Sequence, residues 1–232
     1  MATITTLGFD ADDTLWHSER VFRLTEERFA GLLSNYTDKD RLNERLLAAE
    51  RRNVLHYGYG VKGFTLSMIE TAIEVTGGEV HADVIAEILE TGRDMLNHPV
   101  EPLPCVEETL QAVKGDYRLV LITKGDLFDQ ERKITASGLD IHFDGIEIVS
   151  EKSVATYETL FARHGSGPRE AMMIGNSLKS DILPALEAGA FGAHVPYDFT
   201  WALEQAEDPL GADRFHRLDH IGKVPHLLAR LR

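Results

Sequence analysis

The stretch Thr3-Ile-Thr-Thr-Leu-Gly-Phe-Asp-Ala-Asp-Asp-Thr-Leu-Trp16 decides how the rest of the chain folds. Its first half is rich in apolar and β-branched residues, which predicts a short buried strand ending at Phe9. That strand runs directly into an acidic segment, Asp10-Ala-Asp-Asp-Thr14. Side chains two apart on a strand share a face, so we expect Asp10 and Asp12 to leave the sheet edge side by side. Their mutual repulsion needs a proton or a cation, and two carboxylates with a divalent metal indicate chemistry.

Helix capping is the simpler interpretation of the acidic segment. Asp and Thr are frequent N-cap residues, and a helix could begin near Leu15. One acid would be enough for a cap, however, whereas Asp10, Asp12 and Asp13 occupy three of four successive positions. We therefore favour a functional role for the segment.

The composition of the 232-residue chain is that of an ordinary soluble globular protein. Its length suits one large α/β domain or a core with a smaller partner. The formal net charge of -14 argues against nucleic acid or an anionic membrane as a partner, because such binders need a basic face. Cys105 is the single cysteine, no signal-like segment opens the chain and no apolar run reaches the length of a membrane span, so we expect a cytoplasmic protein. The oligomeric state stays open.

A long helical segment follows Leu15. Up to about His98, apolar residues recur every three or four positions, which is the period of amphipathic helices. This pattern predicts four helices, at residues 19–33, 39–57, 64–75 and 82–96, with no strand between them. Residues 15–98 would thus form a helical insertion, and the proline-rich residues 98–104 would return the chain to a domain made of residues 1–14 and 99–232.

Strands and helices alternate in the remainder of the chain. Strands are predicted at residues 118–122, 145–149, 171–174 and 192–195, and helices at 106–113, 130–137, 153–163, 181–188 and 224–231. Strands as apolar as Leu119-Val-Leu-Ile122 predict an α/β core, a Rossmann-like parallel sheet with helices on both faces. The first strand must join this sheet, because only helices follow it. Right-handed crossovers place all strand C-terminal ends at one edge, which the four-helix insertion would cover as a cap.

Polar residues follow several strands at this predicted edge. The second strand ends in Thr123-Lys-Gly-Asp126, Lys152 precedes a helix after the third, and the fourth is followed by Gly175-Asn-Ser-Leu-Lys-Ser-Asp181. Individually these are typical of a strand-end threonine, a solvated lysine and helix caps. Their joint arrival beside Asp10 and Asp12 predicts a site that holds a phosphate against a cation.

In these segments the chain resembles the hydrolases of the haloacid dehalogenase superfamily that carry a helical cap after the first strand. The matching positions are Asp10, Asp12 and Thr14 for DxDxT, Thr123 for a strand ending in Thr or Ser, Lys152 for a lysine before a helix, and Gly175 with Asp181 for GDxxxxD. The four signatures occur in family order, and the resemblance covers nearly the whole chain.

The resemblance implies a magnesium-dependent phosphatase acting on a small phosphorylated metabolite. Asp10 would form an aspartyl-phosphate, and Asp12 would protonate the leaving alcohol and then deprotonate the hydrolytic water. Thr123 and Lys152 would contact the phosphoryl oxygens. The implied metal ligands are Asp10, the backbone carbonyl of Asp12, Asn176 and Asp181. The predicted substrate-binding residues are Thr123, Lys124, Gly125, Lys152 and Trp16.

Asn176 departs from the family pattern, because it stands where GDxxxxD has its first acid. Its amide oxygen can bind magnesium, but the site loses one negative charge. Asp12 favours phosphoryl transfer over halide displacement, since hydrolytic dehalogenases resembling this fold lack that second aspartate. Three alternatives stay open: a phosphomutase, which passes the phosphoryl group to a sugar hydroxyl, a non-enzymatic phosphorylation switch similar to receiver domains, and a catalytically weakened binding protein, which Asn176 suggests.

Three further features carry less weight. Residues 58–63, Gly-Tyr-Gly-Val-Lys-Gly, match GxGxxG but follow a helical run, so we favour a cap loop over dinucleotide binding. His216 and His220 are four apart, yet no convincing third ligand is near, and we favour a surface pair. Trp16 and His17 follow the acidic segment and could contact substrate or pack within the fold.

Overall fold

The computed structural model of the chain describes residues 3–232. They form two compact units. The α/β unit runs to His17 and continues over Val100–Lys124 and Gln130–Arg232, and the helical unit comprises Ser18–Pro99 with Gly125–Asp129. Within the described range, none of the helices is both long and apolar enough to cross a membrane.

A parallel sheet organises the α/β unit. Over the described residues its strands are β1 (Thr6–Phe9), β2 (Arg118–Lys124), β3 (Gly145–Val149), β4 (Ala171–Gly175), β5 (Phe191–His194) and β6 (Phe215–Arg217). They lie in the order β3-β2-β1-β4-β5-β6, and every pairing is parallel. The predicted fold class is therefore confirmed. The sequence prediction missed β6, because Phe-His-Arg is too short and too polar to show an apolar strand pattern.

The register of the central strand fixes where the acidic segment emerges. Phe9, the last residue of β1, pairs with Leu121 on one side and with Ile174 on the other. The next backbone amide, that of Asp10, donates to the carbonyl of Ile174 at 2.9 Å and extends this ladder. The carboxyl ends of β1, β2 and β4 consequently meet at one edge of the sheet.

Helices cover both faces of the sheet, as alternating strand residues show. Leu119 and Leu121 belong to one buried cluster, which includes residues of α5 (Val106–Val113) and α9 (Val224–Leu231). Val120 and Ile122 belong to a second cluster with residues of α7 (Val154–His164) and α8 (Leu183–Glu187). At Gly8 a Cβ atom would lie 3.0 Å from Met173 Sδ, so this strand position has no room for a side chain.

Two helices after residue 104 begin three residues earlier than the sequence predicted. The helix α6 (Leu127–Ser137) begins three residues before the predicted Gln130. The segment predicted as one helix at residues 181–188 begins instead with a π-helical turn, Leu178–Ile182, followed by α8. The Ser177 hydroxyl accepts from the amide of Ser180 at 3.0 Å and so starts the turn directly after β4.

The helical unit contains α1 (Glu19–Leu32), α2 (Lys39–Tyr57), α3 (Val61–Val75) and α4 (Ala82–Leu96). Their apolar faces share one buried cluster, including Phe29, Leu46 and Met68. The prediction of α3 from residue 64 was three residues late, so half of the predicted loop at residues 58–63 is helical. The turn residue Gly60 has φ 110, which favours glycine, and directly precedes the helix. The predicted domain limits, and the role of residues 15–98 as a cap, stay predictions.

Candidate active site

Asp10 lies at the carboxyl edge of β1, and its side chain is buried, with 6% of the residue exposed. Its Oδ1 accepts a hydrogen bond from the ammonium group of Lys152. Its Oδ2 lies 3.2 Å from the hydroxyl of Thr14, which donates to it. The carboxylate of the predicted nucleophile is thus held at both oxygens by residues that the family signatures had singled out.

Lys152 joins two acids that are far apart in the chain. Its Nζ donates to Asp10 and, at 2.7 Å, to Oδ1 of Asp181. The other oxygen of Asp181 accepts from the backbone amide of Ser177 at 2.9 Å, and the Asp181 side chain is fully buried. Burial alone would lower the pKa of Lys152, but the Asp10 and Asp181 carboxylates raise it above its ordinary value. The ammonium group therefore stays charged at neutral pH.

The charge around Asp10 is not fully balanced by this lysine. Burial, followed by the neighbouring Asp181 carboxylate, raises the pKa of Asp10 to about 7, although Lys152 acts in the opposite direction. An acid with such a raised pKa lies where additional positive charge would be stabilising. The site is therefore electrostatically suited to a cation.

The surrounding oxygen atoms fit magnesium. The Thr14 hydroxyl accepts from the backbone amide of Asn176 at 3.0 Å and lies 3.3 Å from the Asn176 amide oxygen, so Asp10 and Asn176 share one neighbour. In the part of the chain that the structure describes, no three His, Cys, Asp or Glu side chains gather as a ready metal site. A cation here would use the amide oxygen of Asn176 and backbone oxygen together with the carboxylates. Such an all-oxygen set matches the preference of Mg²⁺.

Asp12 has a separate set of partners. Its Oδ1 accepts from the indole Nε1 of Trp16 at 2.7 Å, and its Oδ2 from the amide of Gln130 at 2.9 Å. The ammonium group of Lys133 lies 2.7 Å from both oxygens. Partial burial by itself would raise the pKa of Asp12, but Lys133 and these hydrogen bonds lower it below its usual value. The ionised form is consequently favoured in the free protein.

Thr123, near the carboxyl end of β2, contacts one of the side chains that hold Asp12. It is buried, and its hydroxyl oxygen accepts from the Gln130 amide at 3.1 Å. Gln130 also donates to the backbone carbonyl of Lys124 at 2.8 Å. Sequence reasoning missed Gln130 and Lys133. Their spacing of three on α6 resembles that of any solvated helix face, and only their nearness to Thr123 could have drawn attention to them.

Lys124 faces acidic and hydroxyl groups. Its Nζ lies 2.7 Å from Glu204 Oε1, 2.8 Å from Ser180 Oγ and 3.4 Å from Glu151 Oε1. Glu204 also accepts from the Ser177 and Ser180 hydroxyls. Burial would raise the pKa of Glu204, but Lys124 and these bonds lower it. Glu204 lies in a short 3-10 turn of a tail without regular pattern, so no sequence signal pointed to it.

The remaining predicted substrate contacts differ in placement. Trp16 is completely buried in the core of the α/β unit, which favours the packing alternative over direct contact with a substrate. Gly125 belongs to the segment Gly125–Asp129 of the helical unit. His17 Nδ1 lies 2.6 Å from the hydroxyl of Tyr197. His216 stacks on Phe191, with ring centroids 6.2 Å apart.

The structure brings six of the predicted site residues to the carboxyl edge of the sheet: Asp10, Asp12, Thr123, Lys152, Asn176 and Asp181.

A parallel α/β sheet with DxDxT after its central strand and a lysine bridging two buried acids defines a hydrolase of the haloacid dehalogenase type. The model of this family, haloacid dehalogenase-like hydrolase, matches residues 4–189, and the chain belongs to the family. The resemblance inferred from the sequence signatures is confirmed at this level.

Three similar proteins extend this assignment. A haloacid dehalogenase-like family hydrolase from Xanthomonas campestris has 44% sequence identity and a TM-score of 0.87, covering 99% of this chain and 92% of its own. The glyceraldehyde 3-phosphate phosphatase of Methanothermobacter thermautotrophicus is 24% identical over 232 residues, 95% of this chain and 97% of its own. The pyrimidine 5'-nucleotidase of Escherichia coli is 30% identical over 94 residues, 38% of this chain and 42% of its own. The relatives thus include phosphatases.

Proposed function

We propose that the protein is a magnesium-dependent phosphatase that hydrolyses a small phosphorylated metabolite through an aspartyl-phosphate on Asp10. The observation that carries the proposal is the buried Asp10 carboxylate, which Lys152 and Thr14 hold while Asp12 lies two residues further on with its own donors. The phosphatase relatives support phosphate esters as the substrate class. Asp12 supports phosphoryl transfer over halide displacement, because dehalogenases resembling this fold lack it.

The first chemical step transfers the phosphoryl group to the protein. An Asp10 oxygen forms a bond to phosphorus as the bond from phosphorus to the leaving oxygen breaks, and Asp12 gives its proton to that oxygen. Asp12 must take up a proton beforehand, although its partners favour the ionised form. A bound phosphate ester brings negative charge close to Asp12, which favours protonation.

The second step returns the free enzyme. A water molecule attacks the phosphorus atom, Asp12 accepts the proton of this water, and the Asp10 carboxylate leaves. Thr123 and Lys152 stabilise the charge on the phosphoryl oxygens throughout. Asp10, the Asp12 backbone carbonyl, Asn176 and Asp181 would hold magnesium, which supplies further positive charge to the transferring group when bound. Residues 15–98 are proposed to serve as a cap that excludes water during transfer.

Asp10→Asn provides the direct test of this mechanism. With magnesium and a panel of phosphorylated metabolites, the wild-type protein should release inorganic phosphate, and the variant should lose on the order of 10³-fold or more in kcat. An amide cannot replace the carboxylate nucleophile. Asp140→Asn, at an exposed position of the α/β unit, is the matched control and should keep full activity. Undiminished turnover by Asp10→Asn would reject the mechanism.

The fate of the phosphoryl group separates the proposal from the phosphomutase alternative. A phosphatase gives free phosphate and the dephosphorylated metabolite, whereas a mutase gives an isomeric phosphate ester. Product analysis with a sugar phosphate distinguishes the two outcomes. A long-lived phosphoenzyme without turnover would instead favour the switch.

A further inference from the structure

Asp12 is held by three side chains that belong to none of the four family signatures. Four hydrogen bonds of 2.7 to 2.9 Å reach its two oxygens: one from Trp16, one from Gln130 and two from Lys133. Trp16 and Gln130 are buried, and the Lys133 side chain is only 13% exposed. A carboxylate in such surroundings has one favoured orientation instead of several.

The helix α6 connects this arrangement to the carboxyl end of β2, where Thr123 and Lys124 lie. Gln130 and Lys133 are three residues apart on α6, so both reach Asp12 from the same helix face. The same Gln130 nitrogen lies 3.1 Å from the Thr123 hydroxyl and 2.8 Å from the Lys124 carbonyl, so its two N–H groups are shared among three acceptors. Gln130 therefore fixes the position of Asp12 relative to Thr123.

Proton transfer to a leaving group depends strongly on orientation, because donor and acceptor must come within hydrogen-bond distance in the transition state. We propose that Lys133, assisted by Gln130 and Trp16, is a positioning residue that aims the Asp12 carboxyl group at the leaving oxygen. This inference rests on the proposed phosphatase function. It assigns to α6 a part in leaving-group protonation.

The step that Lys133 serves is balanced in atoms and charge. As Asp10 bonds to phosphorus, the bond between phosphorus and the leaving oxygen breaks, and its electron pair takes the proton of Asp12. Asp12 becomes a carboxylate anion again, directly facing the Lys133 ammonium group. In this role Lys133 exchanges no proton and acts on the reaction through Asp12.

A comparison of leaving groups tests this role. The ratio kcat/KM includes only steps up to departure of the leaving group, and 4-nitrophenolate departs without a proton whereas an alkoxide needs one. Lys133→Met should lower kcat/KM by about 10²-fold for an alkyl phosphate that the wild type hydrolyses, but by less than about threefold for 4-nitrophenyl phosphate. Lys133→Arg should recover part of the loss, because a guanidinium group also reaches both oxygens of a carboxylate.

Lys114→Met is the matched control. Lys114 lies in the same unit and donates only to the backbone carbonyl of Ile141 among the contacts seen, so both substrates should react as in the wild type. Equal losses of Lys133→Met for the two substrates, or no loss for either, would overturn the positioning role while leaving the phosphatase function intact. A wild-type protein that releases phosphate from no ester would overturn both.

Thermal unfolding of the metal-free protein provides a readout besides activity. Lys133→Met should lower the Tm by about 5 °C in the wild-type background, because a half-buried Asp12 anion loses its partner. In the Asp12→Asn background, Lys133→Met should lower the Tm by less than half of the shift expected in the wild-type background. Equal shifts in both backgrounds would show that Lys133 does not act through Asp12, which would reject the proposal.

Discussion

At the scale of single residues, the number of carboxylates near Asp10 decides how strongly the site attracts a cation. Asp10 and Asp181 share one ammonium group, that of Lys152, and Asn176 contributes a neutral oxygen beside them. A carboxylate at position 176 would add one negative charge to the proposed ligand set. Hard divalent cations bind more tightly as the ligand charge increases.

Asn176→Asp should therefore strengthen magnesium binding. We expect the magnesium concentration at half-maximal activity, and the Kd measured by calorimetry, to fall by about tenfold. Asn35→Asp, which adds the same charge at an exposed position of the helical unit, should leave both values unchanged. Weaker binding in Asn176→Asp would argue against a place for this residue in the metal site.

At the scale of an element, the start of α1 buries an acid without full compensation. The Glu19 side chain is 14% exposed, and its attraction to Arg23 is opposed by repulsion from Glu26 and Glu50. Burial, followed by repulsion from Glu26, raises the pKa of Glu19 from 4.5 to about 7. The stability contribution of this group is fully present below pH 4.5 and is lost as the pH rises through about 7.

Glu19→Gln should remove this pH-dependent loss. Above about pH 7 the free energy of unfolding of the variant should exceed that of the wild type by roughly 1 to 3 kcal/mol, and the difference should shrink toward about pH 5. Urea denaturation at the two pH values measures it. Glu27 lies on the same helix, and its side chain is 65% exposed. The control Glu27→Gln should therefore change the free energy of unfolding only slightly at both pH values. A Glu19→Gln effect independent of pH would contradict the burial argument.

At the scale of the whole molecule, net charge opposes the approach of an anionic substrate. The chain carries a formal charge of -14 at pH 7. The charged groups named around the site do not reverse this sign: Lys124, Lys133 and Lys152 are accompanied by Asp10, Asp12, Glu151, Asp181 and Glu204. Long-range repulsion of a phosphate ester is therefore expected, and salt screens such repulsion.

Moderate salt should accordingly increase the efficiency of the enzyme. Raising the ionic strength from about 0.02 M to about 0.2 M at constant free magnesium should raise kcat/KM for a dianionic phosphate ester by about two- to threefold. The Tm should be followed in parallel to exclude a stability effect. A decrease of kcat/KM over this range would show that the local positive groups dominate the field.

The sequence by itself determined the features that depend on local patterns. The apolar run before Asp10 and the alternation after residue 104 were sufficient for the parallel α/β fold, because strand and helix periods are visible along the chain. The four signatures identified the family, as the match over residues 4–189 shows. The helices at residues 39–57 and 82–96 were predicted with their observed ends, since their polar flanks mark the boundaries.

Only the tertiary structure decided which distant side chains surround each predicted residue. Gln130, Lys133 and Glu204 look like solvated residues in the sequence, yet they contact Asp12 and Lys124 across 118, 121 and 80 positions. The strand β6 likewise became a strand only by pairing with β5. Such contacts follow from the packing of helices and loops against the sheet, and a local pattern carries no record of partners brought together by packing.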